Sequence, residues 1–227
     1  MFPYPPQPSG FPPARRHVVQ AALPLYVLVR HGAGSAAPQQ VLCEPVASGE
    51  AAGCEAMVLY FSPLEASIDA LWQDLPPGRY AVLPVSAFSP DDLLKRHQGR
   101  LPVCLHLAWG AQDGHLAVRA QGGPVRISSA SVAHVSAMTD TIPLAIGHAD
   151  LAGYARLWEC AGLFAHAETH ARLLALSAQE CHRHAERALL RVPGKALPGQ
   201  PINQLALYDA ESAQWHFIAL DLIAGQK

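Results

Sequence analysis

Charged residues, cysteine pairs and long apolar runs are scarce in this 227-residue chain. Asp, Glu, Lys and Arg make up 15% of the sequence, against about 25% in an average soluble domain, and the formal net charge is -2. This near balance supplies no positive field for a polyphosphate backbone, so we expect no nucleic-acid partner. No apolar run reaches the roughly 18 residues of a membrane span, so we expect no membrane association.

The cysteines contain no CxxC pair and are odd in number, which is typical of reduced thiols in a cytosolic protein. They are Cys43, Cys54, Cys104, Cys160 and Cys181. The alternative is a secreted protein, because an arginine pair at 15–16 precedes an apolar stretch at 18–29 and a small-residue run at 34–37. Because Pro24 interrupts that apolar stretch, we predict a cytoplasmic location.

The composition divides the chain into a proline-rich tail, residues 1–20, and a single α+β domain, residues 21–227. Six of the first 16 residues are proline, which favours an extended polyproline conformation. Apolar runs bounded by turn residues predict strands over 25–29, 40–46, 56–61, 80–85, 101–109, 115–120 and 125–135. We expect a mixed, mainly antiparallel sheet with helices on one side.

Ser62-Pro63-Leu64-Glu65 is the strongest local signal in the chain. It places a serine at the N-cap, a proline at the first helical position and a glutamate at the third, in the order of a capping box. The signal predicts a helix over 63–75, which a following Pro-Pro-Gly triplet ends.

The last third of the chain is mostly helical in its pattern. Residues 149–192 are rich in alanine and leucine and contain no proline, so they predict a helical segment. A single helix of that length would exceed the diameter of the domain, and Gly162 is the natural break, with helices over 150–161 and 164–191. The residues that follow predict a closing β-hairpin over 202–222.

A possible nucleophile follows the first predicted strand, where Arg30 and His31 precede a glycine. This triplet resembles the signature of the histidine phosphatase superfamily, and a later Gly-His pair resembles the segment that carries its second active-site histidine. The resemblance implies a phosphohydrolase in which His31 attacks phosphorus, Arg30 binds the phosphate and His148 is the partner. Glu65 stands where that family's helix carries an arginine, so this function is the alternative and no catalytic residue is favoured.

Two histidines of the last predicted helix are spaced as metal ligands. His166 and His170 lie one turn apart, which suits a divalent ion. His184 lies on the same side but about 27 Å along the helix, so only the first two could bind one ion. We favour no metal, with this pair as the alternative ligands. We also expect no cofactor, because the glycine-rich residues 32–35 lack the third glycine of a dinucleotide fingerprint and the lysine of a P-loop.

The order of predicted elements over residues 23–120 resembles the N-terminal domain of the enhanced-serine-sensitivity (SseB) family. In that family a strand ending in Phe-Thr or Phe-Ser leads into a helix, as Phe61 and Ser62 do here. The resemblance implies a small binding module, associated in some cases with secretion systems, and no catalytic residues. We therefore expect a non-catalytic protein-interaction or adaptor module whose partner is another protein, linked to a bacterial secretion or toxin-immunity system. The oligomeric state is left open.

Overall fold

A computed structural model describes residues 17–30, 40–73, 79–134 and 140–224 of the chain. The proline-rich leader and His31 lie outside the described residues. Within them the α+β class is confirmed, because helices accompany a sheet whose strand pairs are mixed and mainly antiparallel. The described residues contain no helix with the length and apolarity that crossing a membrane requires.

The described residues form thirteen strands and six α-helices. The strands are β1 (Val18–Ala21), β2 (Tyr26–Arg30), β3 (Gln40–Val41), β4 (Cys43–Pro45), β5 (Glu55–Leu59), β6 (Tyr80–Pro84), β7 (Arg100–Gln112), β8 (His115–Ala117), β9 (Arg126–His134), β10 (Thr141–Leu144), β11 (Lys195–Ala196), β12 (Gln204–Asp209) and β13 (Gln214–Ala219). The helices are α1 (Pro63–Gln73), α2 (Asp91–Arg96), α3 (His148–Cys160), α4 (His166–Leu174), α5 (Ala178–Leu190) and α6 (Leu220–Ala224).

Residues 18–20, which the sequence assigns to the tail, belong to strand β1. This strand pairs in parallel with β10, and Val19 and Ile142 face each other in the register with no exposed surface. The sequence gives no local signal for this pairing. The two strands lie far apart along the chain, and each has only four residues.

Strand β7 organises the large sheet, because its two halves pair with different neighbours. Residues 100–109 pair antiparallel with β9 and residues 103–105 pair in parallel with β5, while residues 109–112 pair antiparallel with β12 and β8. A register shift between His106 and Ala108 interrupts the ladder with β9, and such irregularities bend a strand. Strands β12 and β13 form the predicted closing hairpin.

A smaller sheet, in the order β3-β2-β6, adjoins the large one. The two meet at Tyr26 and Tyr60, whose backbones exchange two hydrogen bonds of 2.9 Å. Leu28 and Val58, one from each sheet, share a buried cluster with Ala66 of α1. Helix α1 therefore covers the junction between the two sheets.

Helices flank both faces of the large sheet, which corrects the prediction that they lie on one side. Ala206 and Tyr208 of β12 belong to a buried cluster with α1, α4 and α5, whereas Leu205 and Leu207 belong to the cluster that contains Tyr154 of α3. Successive side chains of a strand point to opposite faces. Since β12 is apolar on both faces, each face is covered by helices.

Residues 149–192 are helical as predicted, but they form three helices. Gly162, with φ of 78°, follows α3 in the left-handed conformation that glycine adopts easily. The predicted helix over 164–191 is wrong, because α4 ends three residues before Ser177 and α5 begins after it. The Ser177 hydroxyl accepts the Glu180 N–H, and the Glu180 carboxylate accepts the Ser177 N–H, so a second capping box starts α5.

The predicted capping box at the start of α1 is present. The Ser62 hydroxyl accepts the Glu65 N–H at 3.2 Å, and the Glu65 carboxylate accepts the Ser62 N–H at 3.1 Å. We expect Ser62→Ala to lower the free energy of unfolding by about 0.5–2 kcal/mol, because the helix loses its N-cap. Urea denaturation measures this, with the exposed Ser86→Ala as control. An unchanged midpoint in Ser62→Ala would contradict a stabilising cap.

Candidate functional site

An apolar groove of about 460 Å³ lies where α1, β6 and the connection between α4 and α5 meet. Tyr26 of β2 and Val82 of β6 line it from the smaller sheet, and Ala70 lines it from α1. The remaining lining residues are Pro63, Ser67, Leu71, Tyr80, Ala81, Leu174, Leu176, Ala178, Cys181 and His182. The groove therefore combines a sheet, a helix and a helix-to-helix turn.

The break between α4 and α5 shapes one wall of the groove. Ser177 has ψ of 158°, an extended conformation, and this interrupts the helical path between Leu176 and Ala178. Helix α5 then runs against α1 and brings Cys181 to the groove. Leu174 and Leu176 line the groove only because the helix is broken here.

The groove has few ionisable side chains in its described lining, with His182 as the one basic residue among them. Its described lining contains no Asp, Glu, Lys or Arg. Burial raises the pKa of the Cys181 thiol and nearby Glu180 raises it further, while burial also raises the pKa of the Tyr26 hydroxyl. Both groups therefore stay protonated. A protonated thiol is a poor nucleophile, so the groove suits apolar side chains better than it suits chemistry.

Strand β6 presents an open backbone edge beside the groove. In the described residues it pairs with β2 alone. Leu28 of β2 uses its carbonyl to accept the Leu42 N–H, on the side away from β6, so its partner Val82 is a non-hydrogen-bonded position of the β2–β6 ladder. The same alternation applies to Tyr80. The backbone groups of Tyr80 and Val82 therefore point away from β2, toward the edge of the sheet.

The structure describes two of the three residues of the phosphohydrolase alternative. Arg30 is the last residue of β2 and is partly buried, whereas His148 is the first residue of α3 and is exposed. His31, the predicted nucleophile, lies outside the described residues. The phosphohydrolase alternative therefore stays a prediction.

His166 and His170, the alternative metal ligands, lie one turn apart in α4. The Nδ1 atoms of both rings are buried and have no hydrogen-bond partner, and burial together with nearby His166 lowers the pKa of His170. Among the residues that the structure describes, no group of three His, Cys, Asp or Glu side chains is placed to hold an ion. A closed zinc site has four protein ligands, and this pair supplies two.

The groove residues are absent from the sites predicted from sequence. They are ordinary apolar residues of α1, β6 and the α4–α5 region, and only the packing of α5 against α1 brings them together. One local signal was available, since Ser177 and Glu180 have the spacing of a capping box. This spacing places a helix start at Ser177, where α5 begins.

Comparison with known proteins assigns no function to the groove. A scan against protein-family models, a search of the curated proteins and a search of the solved structures found no match for this chain. The groove and the edge of β6 are therefore the basis for a functional proposal.

Proposed function

We propose that this chain is a non-catalytic protein-interaction module that binds an extended, apolar segment of another protein in the groove beside β6. The observation that carries this proposal is the adjacency of two features. The open backbone edge at Tyr80 and Val82 adjoins an apolar groove of about 460 Å³. The predicted partner class, another protein, agrees with this chemistry.

An added strand would use both features at once. Its backbone would pair with the outward groups of Tyr80 and Val82, and its alternate side chains would enter the apolar groove. Backbone pairing supplies affinity with little dependence on sequence, whereas the groove selects side chains by size and polarity. A small apolar ligand would leave the backbone edge unused, which is why an extended peptide fits better.

The adaptor role and the link to a bacterial secretion or toxin-immunity system rest on a different observation. They follow from the SseB resemblance of residues 23–120 and stay predictions. An adaptor must hold one segment of a partner while the rest of its surface stays available. A groove at one sheet edge meets that requirement.

The test is selection of peptides from a random nine-residue display library on the full chain. We expect the selected peptides to be apolar at alternate positions. Val82→Pro removes an outward N–H from an edge strand, a change that edge strands tolerate, and should weaken binding at least tenfold. Ala178→Glu, at an exposed residue of the lining, should do the same by placing a carboxylate in the groove.

The matched control is Ala167→Glu, the same change at an exposed residue in the first turn of α4, outside the groove lining. It should leave binding unchanged. Peptides without alternation, or peptides whose affinity is equal in Ala178→Glu and Ala167→Glu, would contradict the proposed groove. Circular dichroism of all variants separates lost binding from lost folding.

The phosphohydrolase alternative has its own test. We expect no turnover of aryl phosphates or phosphohistidine peptides above background, because Glu65 replaces the arginine that the resemblance requires and is buried at 6% exposure. Phosphate release assays on the full chain measure this. Hydrolysis that both His31→Ala and His148→Ala abolish would show that the chain is an enzyme and would contradict a purely non-catalytic function.

A further inference from the structure

A second pocket, of about 410 Å³, lies beyond the C-terminal end of α1, and none of its described lining residues also lines the groove. The charged side chains of its described lining are all positive, because they comprise three arginines and no carboxylate. These residues are Trp72, Gln73, Arg79, Arg119, Gln121, Gly122, Gly123, Pro124 and Arg126. A pocket with this lining is suited to a negatively charged ligand.

Two of the arginines, Arg119 and Arg126, are paired with buried carboxylates. The Arg126 guanidinium donates to both oxygens of Asp69, at 2.7 Å for Nη2 to Oδ1, and also to Glu44. Arg119 donates to the same Glu44 oxygen. Asp69 and Glu44 are 0% and 7% exposed and do not line the pocket. Arg126 is buried together with these two carboxylates, whereas Arg119 is the more exposed partner of Glu44 and lies nearer to the opening.

This arrangement preorganises the donors. A guanidinium carries five N–H groups in a rigid plane, so an arginine fixed by carboxylates on one side retains donors for a ligand on the other. Arg126 has 3% of its side chain exposed, whereas Arg119 has 35% exposed and lies nearer to solvent. Arg119 is therefore the arginine best placed to meet an incoming anion.

A hydrogen bond joins two of the remaining walls. The Trp72 indole N–H donates to the Gly122 carbonyl at 2.9 Å, which ties the end of α1 to the Gly122–Gly123 turn. The Lys195 ammonium lies 5.0 Å from the centre of the Trp72 ring, although Lys195 is not among the described lining residues. The pocket volume is within the range of small-molecule sites, roughly 300–1,000 Å³.

We propose that this pocket binds a small anionic ligand through a carboxylate or phosphate group, with Arg119 and Arg126 as its principal donors. The ligand would share the guanidinium donors that Glu44 and Asp69 leave available, and the indole of Trp72 would lie beside its organic part. Because the pocket and the peptide groove have separate linings, this proposal does not depend on the proposed peptide binding.

Titration calorimetry of the full chain with inorganic phosphate and with malonate tests the proposal, at constant ionic strength set by chloride. We expect saturable binding of at least one probe, and the stronger probe identifies the preferred group. Arg119→Gln should weaken that binding at least tenfold, because a charge-assisted hydrogen bond is lost. This variant keeps the Arg126–Glu44 pair, and Arg172→Gln, at an exposed ion pair elsewhere, should bind as the wild type does.

A second variant makes the outcome independent of folding defects. Gln121 is exposed and lines the pocket, so Gln121→Glu adds a negative charge there without disturbing the buried pairs. It should weaken binding severalfold, whereas Gln179→Glu, on the exposed surface of α5, should not. The proposal is overturned if neither probe binds saturably, or if Gln121→Glu and Gln179→Glu bind the probe equally well.

Discussion

Arg126→Ala is expected to lower the free energy of unfolding by about 3–5 kcal/mol, the largest effect of any single substitution considered for this protein. Arg126 compensates two buried carboxylates, and its removal takes from Asp69 the guanidinium that contacts both of its oxygens, whereas Glu44 keeps its contact with Arg119. Asp69 would still accept the Tyr60 hydroxyl, which is a weaker source of compensation than a guanidinium. Equilibrium urea unfolding of the purified chain measures the loss.

The control is an arginine whose ion pair lies in solvent. Arg96 contacts Glu55 at 3.1 Å, and both side chains are more than half exposed. Arg96→Ala should therefore cost less than about 1 kcal/mol. Arg126→Lys keeps the charge but loses the two-pronged contact with Asp69, so we expect an intermediate loss that stays measurable if Arg126→Ala does not fold. Similar losses for Arg96→Ala and Arg126→Ala would contradict a dominant role for burial.

Glu65→Gln is expected to change how stability depends on pH. Burial raises the pKa of Glu65 to about 7, although hydrogen bonds from Tyr154 and Ser62 oppose that rise. The ordinary pKa of this carboxyl is 4.5. Its contribution to stability is therefore fully present below pH 4.5 and is lost as the pH rises through about 7. Over this window the wild type should lose about 3 kcal/mol through this group.

Another buried group changes stability in the opposite direction. Burial lowers the pKa of His106 to about 3 from 6.5, so its contribution is present above pH 6.5 and is lost as the pH falls toward 3. The two effects overlap between pH 4.5 and 6.5, and the wild-type curve alone does not separate them. Because His106 is present in both proteins, the difference between Glu65→Gln and wild type isolates Glu65. We expect this difference to rise by about 3 kcal/mol, in favour of the variant, between pH 4 and 8.

The matched control is Glu180→Gln, because Glu180 occupies the same third helical position in the capping box of α5. Glu180 is at the surface, and hydrogen bonds from Ser177 lower its pKa instead of raising it. Its substitution should therefore change the pH profile only slightly and with the opposite sign. A flat difference curve for Glu65→Gln, measured by urea unfolding across the range, would show that Glu65 is ionised normally in the folded chain.

Local signals in the sequence were sufficient to locate several of the helices and strands. The capping box at Ser62 and Glu65 placed the start of α1, and apolar runs placed the central strands within a few residues. Gly162 correctly marked the end of α3. These predictions succeeded because each depends on residues within about one turn or one strand of each other. The capping box at Ser177 belongs to the same class and was present in the sequence.

The tertiary structure alone decided which distant residues meet. Asp69 and Arg126 lie in different elements, and the sequence around each residue does not predict that the two form an ion pair. The groove beside β6 depends on α5 packing along α1, and the helices cover both sheet faces because β12 is apolar on both. Short-range preferences determine where elements begin and end, whereas burial of apolar surface across the whole chain determines how those elements come together.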